Sequence, residues 1–265
     1  MEKNPLLTKI REGGTCLGTR INSADMIDLC GHVGFEWFVI DQMFSANDWG
    51  RTEDFIRAGE AAGITPVVRI QANPWVGYDH RLAVEVSRAM GIGAQFVLVS
   101  NSCKREIDEC AEVAKGWHRK AMIIHPFDDE NDWLVKRDRP QDSFIIPQPE
   151  SKGAIEEIDE IIKHPDVKAI FFAMSDATMS LTGQKRPDWY HPAIWEHLDR
   201  VVALGKNHNC IIGANTSYAY DMDELVKRVR LLHEHGVRLI QVQSVNFIFQ
   251  IVANKFLREL KPILN

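Results

Sequence analysis

The chain has 265 residues, 45% hydrophobic and 26% charged, with a formal net charge of -6. That length suits one large domain with a full core, and the acidic balance argues against nucleic acid, which calls for a basic patch. Cys16, Cys30, Cys103, Cys110 and Cys210 lack CxxC spacing and are odd in number, which speaks against a disulfide framework and for reduced thiols in a cytoplasmic protein.

The opening MEKNPLLTKIREGG is charged and has no sustained apolar core, so no secretory signal is expected. No apolar run approaches membrane-spanning length. From there, short apolar runs alternate with longer helical patterns. Strands are expected at Thr15–Ile21, Trp37–Asp41, Thr65–Ile70, Gln95–Val99, Ser143–Gln148, Val167–Phe172, Cys210–Gly213 and Val237–Val242. Helices are expected at Ser23–Cys30, Thr52–Ala62, Asp79–Met90, Cys103–Ala114, Ser151–Ile162, Pro192–Leu204, Asp221–Glu234 and Asn246–Leu260. Ser23, Ser151 and Asp221 stand as N-caps, and Gly63, Gly116 and Gly236 follow helices. Eight strands in alternation with helices read as a single (β/α)8 TIM barrel over residues 1–265, with a C-terminal helix. The alternative, a doubly wound open sheet, lacks a GxGxxG or P-loop after its first strand.

One segment breaks the rhythm. Lys120–His125 is a further strand-like run, followed by Pro126 and the acidic stretch Asp128-Asp129-Glu130-Asn131-Asp132. It reads as an insertion after the fourth strand–helix unit, near the active-site rim. The acidic stretch lacks the glycine and distal glutamate of an EF-hand and reads as a solvated loop.

In such a barrel, residues ending the strands meet on one rim. Asp41 ends the second strand and Arg69 lies at the end of the third. Arg69 could bind a carboxylate or a developing enolate, or serve as a structural ion-pair partner. Asp41 could orient a catalytic group or neutralise Arg69. Glu150 and Asp176 follow the fifth and sixth strands. Two carboxylates converging there could hold a hard divalent cation; the plain alternative is that each caps the helix after it. The ten histidines include no HExxH. His233 and His235 fall two apart at a helix end and do not share a face. They read, with His32, His118 and His164, as surface or packing residues. His125 closes the strand-like run of the insertion, with a catalytic role and a structural one both open.

These residues carry a resemblance to the HpcH/HpaI family of metal-dependent (class II) pyruvate aldolases. Gly34-Phe35-Glu36-Trp37-Phe38-Val39-Ile40-Asp41 resembles the family's second-strand signature, and Pro66-Val67-Val68-Arg69-Ile70 its arginine strand. Gly93–Val99 is similar to its fourth strand, and Gln148-x-Glu150-Ser151 to its metal-ligand strand. Phe171-Phe172-x-x-Ser175-Asp176 looks like its second ligand loop. The resemblance runs from Gly18-Thr19 to the last strand, with 100–142 fitting poorly.

What the resemblance implies is a lyase acting on a 2-oxo acid such as pyruvate through a metal-stabilised enolate. Glu150 and Asp176 would be the protein ligands of Mg²⁺, Mn²⁺ or Co²⁺. Gln148 and the backbone near Ser175 would hold the oxo acid's carboxylate, and Arg69 would face its keto oxygen. The resemblance also implies a homo-oligomer, often a hexamer, with the terminal helix packed on a neighbouring barrel. Packing of that helix on its own barrel fits its apolar positions equally.

The departures are specific. Where the family places a histidine for proton transfer, this chain has Phe44, which cannot accept a proton. Its loss should slow ordinary aldol cleavage by about 10²–10⁴-fold unless Asp41, His125 or a metal-bound water substitutes. Ala173-Met174 stands in place of the family's Gly-Pro pair, and the last strand lacks the usual glycine and aspartate. Two alternatives follow. One is condensation of the enolate with another acceptor, as in a citrate-synthase-like member, or decarboxylation of a 2-oxo diacid, with Phe44 shaping a new pocket. The other is a barrel that binds metal or oxo acid without turnover.

Overall fold

Side chains alternate between the two faces of a strand, and in this chain both faces are apolar, as a sheet covered on both sides requires. The computed structural model describes residues 4–71, 79–119 and 143–264. Its elements begin with α1 (Pro5–Arg11), β1 (Cys16–Arg20), α2 (Ala24–Val33), β2 (Trp37–Asp41), α3 (Trp49–Ala61), β3 (Thr65–Gln71), α4 (Arg81–Gly91), β4 (Phe96–Ser100) and α5 (Lys104–Arg119). After the fifth strand, β5 (Phe144–Gln148), come α6 (Lys152–Glu156), α7 (Ile158–Ile162), β6 (Ala169–Phe172), α8 (Met174–Thr182) and α9 (Pro192–Asn207). The chain closes with β7 (Ile211–Asn215), α10 (Met222–Glu234), β8 (Leu239–Gln241) and α11 (Val245–Leu264).

The strands form one parallel sheet in the order β5-β4-β3-β2-β1-β8-β7-β6. β1 pairs with both β2 and β8, so first and last strands are neighbours, which excludes the doubly wound alternative. β5 and β6 come together across the remaining seam without a ladder. The result is a nearly closed (β/α)8 barrel.

Alternation then decides where the site can be. Trp37, Phe96, Phe144 and Phe171 point inward and fill the lower barrel, while Phe38, Val97, Ile145 and Phe172 point outward under the helices. Burying each such side chain contributes about 1.5–3 kcal/mol relative to leaving it in water. Trp37 is accommodated because β1 offers Gly18 beside it: a Cβ there would lie 2.2 Å from the indole ring. The indole N–H donates to the Cys16 carbonyl at 3.3 Å. Further up, the inward positions turn polar, with Asp41, Arg69, Ser100, Gln148 and Asn215 at or near the strand ends.

Several expectations need correction. Two helices had no counterpart in the sequence reading. α1 is started by Asn4, whose Oδ1 accepts from the Leu6 and Leu7 amides; its Leu6, Leu7 and Ile10 plug the lower barrel. α8 begins two residues after β6, so the expected second ligand loop is a helical first turn. The helix expected over Ser151–Ile162 is broken at Glu157 into α6 and α7. Gly116 lies inside α5, whereas Gly63 and Gly236 adopt positive φ just after their helices. Ser151 and Asp221 cap as expected, but the Ser23 side chain makes no cap bond.

Lys120–Asp132, with His125, lies outside the described residues. Its flanks, however, are the C-terminal end of α5 and the N-terminal end of β5. Helix-to-strand connections in a barrel meet the face opposite the active-site rim. Ser143, at the β5 flank, lines a cleft there with Leu7, Lys168 and Arg238.

Candidate active site

Asp41 is the hub of the rim. It is buried and accepts Arg69 Nε on Oδ1 at 3.1 Å and Arg69 Nη2 on Oδ2 at 2.5 Å, a two-point clamp that fixes the guanidinium plane. The pairing follows from register, since Asp41 and Arg69 are directly opposed in the β2–β3 ladder. Arg20 Nη1 adds a bond to Oδ2 at 3.2 Å. Burial opposes ionisation of Asp41, but the Arg69 bonds and charge, the Met43 amide and Arg20 prevail and hold its pKa below the ordinary value. The structure therefore shows Asp41 neutralising Arg69 and fixing its position. Asp41 Oδ1 also accepts the Met43 and Phe44 amides at 2.9 and 3.3 Å. That turn swings Phe44 back until Arg69 stands over its ring, 5.5 Å from the centroid. Phe44 is 72% exposed.

Glu150 and Asp176 open onto the same cavity as Arg69. Its volume is about 490 Å³, and Gln148, Asn215, Asn101, Met43, Phe44 and Met179 also line it. Glu150 is pushed up to about 8, first by burial and then by the charge of Asp176, with Arg69 opposing. Asp176, exposed at the mouth, is raised by partial burial of its carboxyl against the lowering effects of its own N–H and Arg69. Neither residue is an N-cap: Ser151 accepts from the Ala154 amide to start α6, and Ala173 precedes α8. Two hard oxygen ligands whose charges oppose one another fit a divalent cation that takes its remaining positions from substrate and water. No group of three or more His, Cys, Asp or Glu side chains that could hold a metal gathers anywhere among the described residues, so here the chain offers two carboxylates.

Gln148 is more constrained than a free substrate contact. Its Oε1 accepts from Ser100 Oγ at 2.6 Å and its Nε2 donates to Glu150 Oε1 at 3.0 Å. The ladder partner of Gln148 is Ser100, so the sheet itself orients Glu150. The Ser175 hydroxyl donates to Ser217 Oγ at 2.7 Å and is not among the groups lining the cavity; the first-turn backbone of α8 is what Ser175 brings to the rim.

The sequence reading did not single out Asn215, Asn101, Ser217 or Arg228. Asn215 Oδ1 accepts from the Met174 amide at 3.3 Å and from Ser217 Oγ at 3.2 Å, so β7 braces the start of α8 beside Asp176. Ser217 does this from positive φ. Arg228 straddles it, donating to the carbonyls of Thr216 and Tyr218 at 3.0 and 3.1 Å. The polar residue ending an apolar strand, the signal that exposed Asp41, was also present in Ile211–Asn215. No described histidine lines this cavity: His233 meets Thr15 and His235 meets Asp199 on the outside of the barrel.

Comparison with known proteins bears on the family and the fold. The family model for HpcH/HpaI aldolase/citrate lyase matches residues 19–244. A hydroxypyruvate/pyruvate aldolase of Paraburkholderia phytofirmans is 25% identical over 200 residues, 67% of this chain and 70% of that protein. Among solved structures, an HpcH/HpaI aldolase from Desulfitobacterium hafniense superposes with a TM-score of 0.75 at 19% identity, covering 97% of this chain and 96% of that one. The protein CitE from Mycobacterium tuberculosis, solved with magnesium and pyruvate, superposes at 0.56 with 12% identity, covering 89% and 90%. With the family model spanning every strand from β2 to β8, this chain belongs to the HpcH/HpaI aldolase/citrate lyase family.

Proposed function

We propose that this protein is a metal-dependent carbon–carbon lyase that makes or breaks a bond to the methyl carbon of a 2-oxo acid such as pyruvate. The observation that carries the reading is the convergence of Glu150, Asp176, Arg69 and Gln148 on one cavity at the C-terminal ends of the strands. The similarity to a hydroxypyruvate/pyruvate aldolase supports it, as does the magnesium and pyruvate bound in CitE.

Glu150 and Asp176 would hold the cation, Mg²⁺, Mn²⁺ or Co²⁺. Bound there, it supplies Lewis acidity toward the carboxylate and ketone of the oxo acid. Arg69 keeps N–H groups beyond the two spent on Asp41, and these would already face the keto oxygen on which charge develops. Because Asp41 already holds the guanidinium, no reorganisation is needed during reaction. Gln148 holds Glu150 in its ligating orientation, and the first turn of α8 offers backbone N–H groups to the substrate carboxylate. Phe44 offers no proton acceptor, so proton transfer falls to other groups, and the rate on ordinary aldol substrates should be lower by about 10²–10⁴-fold than with an acid–base partner in place.

The test is deuterium exchange. Pyruvate incubated with the protein and Mg²⁺ or Mn²⁺ in D₂O should lose its methyl proton signal. Glu150→Gln and Asp176→Asn should each return that exchange to background with the protein still folded. Lack of exchange with Mg²⁺, Mn²⁺ and Co²⁺ alike would remove the reading.

Two further properties belong to the same proposal. The exposed side chains of Phe249, Val252 and Phe256 on α11 support assembly into a homo-oligomer. Free thiols at all five cysteines suit a reducing, cytoplasmic setting. No helix among the described residues is long and apolar enough to cross a membrane.

A further inference from the structure

The cavity, about 490 Å³, is larger than a small oxo acid requires. Its charged groups are Arg69, Glu150 and Asp176, the residues assigned above to the oxo acid and its cation. Its apolar lining is Met43, Phe44 and Met179, with Phe44 against the Arg69 guanidinium. Arg69 is the one cation among the described lining residues, and its guanidinium is shared between Asp41 and the face of Phe44. The nearby hydroxyls are committed elsewhere: Ser151 caps α6 and Ser180 donates to the Glu150 carbonyl at 2.5 Å. Among the described residues, a second carboxylate on the incoming partner would find no cation of its own, and burying an unpaired charge is costly. An apolar substituent would instead lie on thioether and phenyl surface, where sulfur and ring contacts are favourable.

From this we propose that the second substrate is an aldehyde bearing an aliphatic or aromatic substituent, with Phe44 as its specificity-determining contact. The inference rests on the lyase reading above and extends it to the partner. In the synthetic direction C3 of pyruvate loses a proton to solvent, and its electron pair forms the bond to the aldehyde carbon. The aldehyde oxygen then takes a proton from water, giving a 4-hydroxy-2-oxo acid with an apolar tail. Cleavage is the same sequence reversed, and no oxidant or reductant is required.

The experiment measures kcat/KM of the Mg²⁺- or Mn²⁺-loaded protein for pyruvate with benzaldehyde, isobutyraldehyde, glyceraldehyde and succinic semialdehyde. Benzaldehyde or isobutyraldehyde should exceed both polar aldehydes by at least about tenfold, the range one apolar contact supplies. Phe44→Ser should cut the benzaldehyde-to-glyceraldehyde ratio by about tenfold, chiefly through KM for the aldehyde. Phe44 is 72% exposed, so the variant should fold, and Phe44→Leu should restore most of the isobutyraldehyde rate. Methyl-proton exchange of pyruvate in the wild-type protein separates the two ideas. Exchange together with a preference for glyceraldehyde or succinic semialdehyde, or a ratio unmoved by Phe44→Ser, would overturn this inference alone. Absence of exchange would overturn the lyase reading and this one with it.

Discussion

A carboxylate in the core is tolerated only when its charge is answered, and Asp41 is answered twice, by Arg69 and Arg20. His197 shows the opposite solution. It stacks on Phe172 with ring centroids 5.3 Å apart, its Nε2 is buried without a partner, and burial pushes its pKa down to about 4. The unfolded chain binds a proton at this residue near the ordinary histidine value of 6.5, whereas the folded protein does not until about 4. Between those values the unfolded state holds more protons, so the stability His197 contributes is complete above 6.5 and lost as pH falls toward 4. Thermal melts across that window should show the wild-type Tm declining more steeply than His197→Phe; parallel curves would contradict the assignment. Asp41 and Arg69 were legible in sequence because each closes an apolar strand, but the choice between neutralising and catalytic roles needed ladder register. His197 was not legible, since a histidine on a helix reads alike whether it faces water or a phenyl ring.

At the scale of elements, the bracing of α8 carries most weight. Arg228 on α10 bonds Glu224 at 2.7 Å and stands over the rings of Trp189 and Tyr190 while holding the Thr216 and Tyr218 carbonyls. Those carbonyls flank Ser217, whose positive φ a serine seldom adopts. Arg228→Met should therefore destabilise the fold by about 1–3 kcal/mol through unsatisfied acceptors. It should also raise amide hydrogen exchange at Thr216–Tyr220 and weaken pyruvate binding through Asn215 and α8. Lysine at 228 would rescue charge but not the two-carbonyl grip. Unaltered exchange at Thr216–Tyr220 in the methionine variant would show the loop held by other means. None of this was readable beforehand: α8 follows β6 with almost no connection, so its apolar pattern merges with the strand, and the Arg228 contacts span elements far apart in sequence.

The whole molecule is a barrel whose two ends differ in kind. α1 plugs the lower end with leucines, and the upper end gathers the charges. Along its outer face, α11 leaves Phe249 72% and Phe256 61% exposed, more apolar surface than a lone barrel needs. Phe249→Asp with Phe256→Asp should yield a monomer by light scattering if that face joins copies of the chain; an assembly state identical to wild type would dissociate α11 from the contact. Sequence by itself determined the alternation of eight strands with helices, the strand-end carboxylates and arginine, and the kinship, because all of these are local patterns of period and chain order. Only tertiary structure decided that Asp41 serves Arg69, that Gln148 serves Glu150, and that Phe44, Met43 and Met179 line one cavity. It likewise decided that the ends of the fourth connection meet the far face of the barrel. Those facts depend on which strand ends become neighbours when the sheet curls on itself, and proximity across a closed ring leaves no mark on a linear chain.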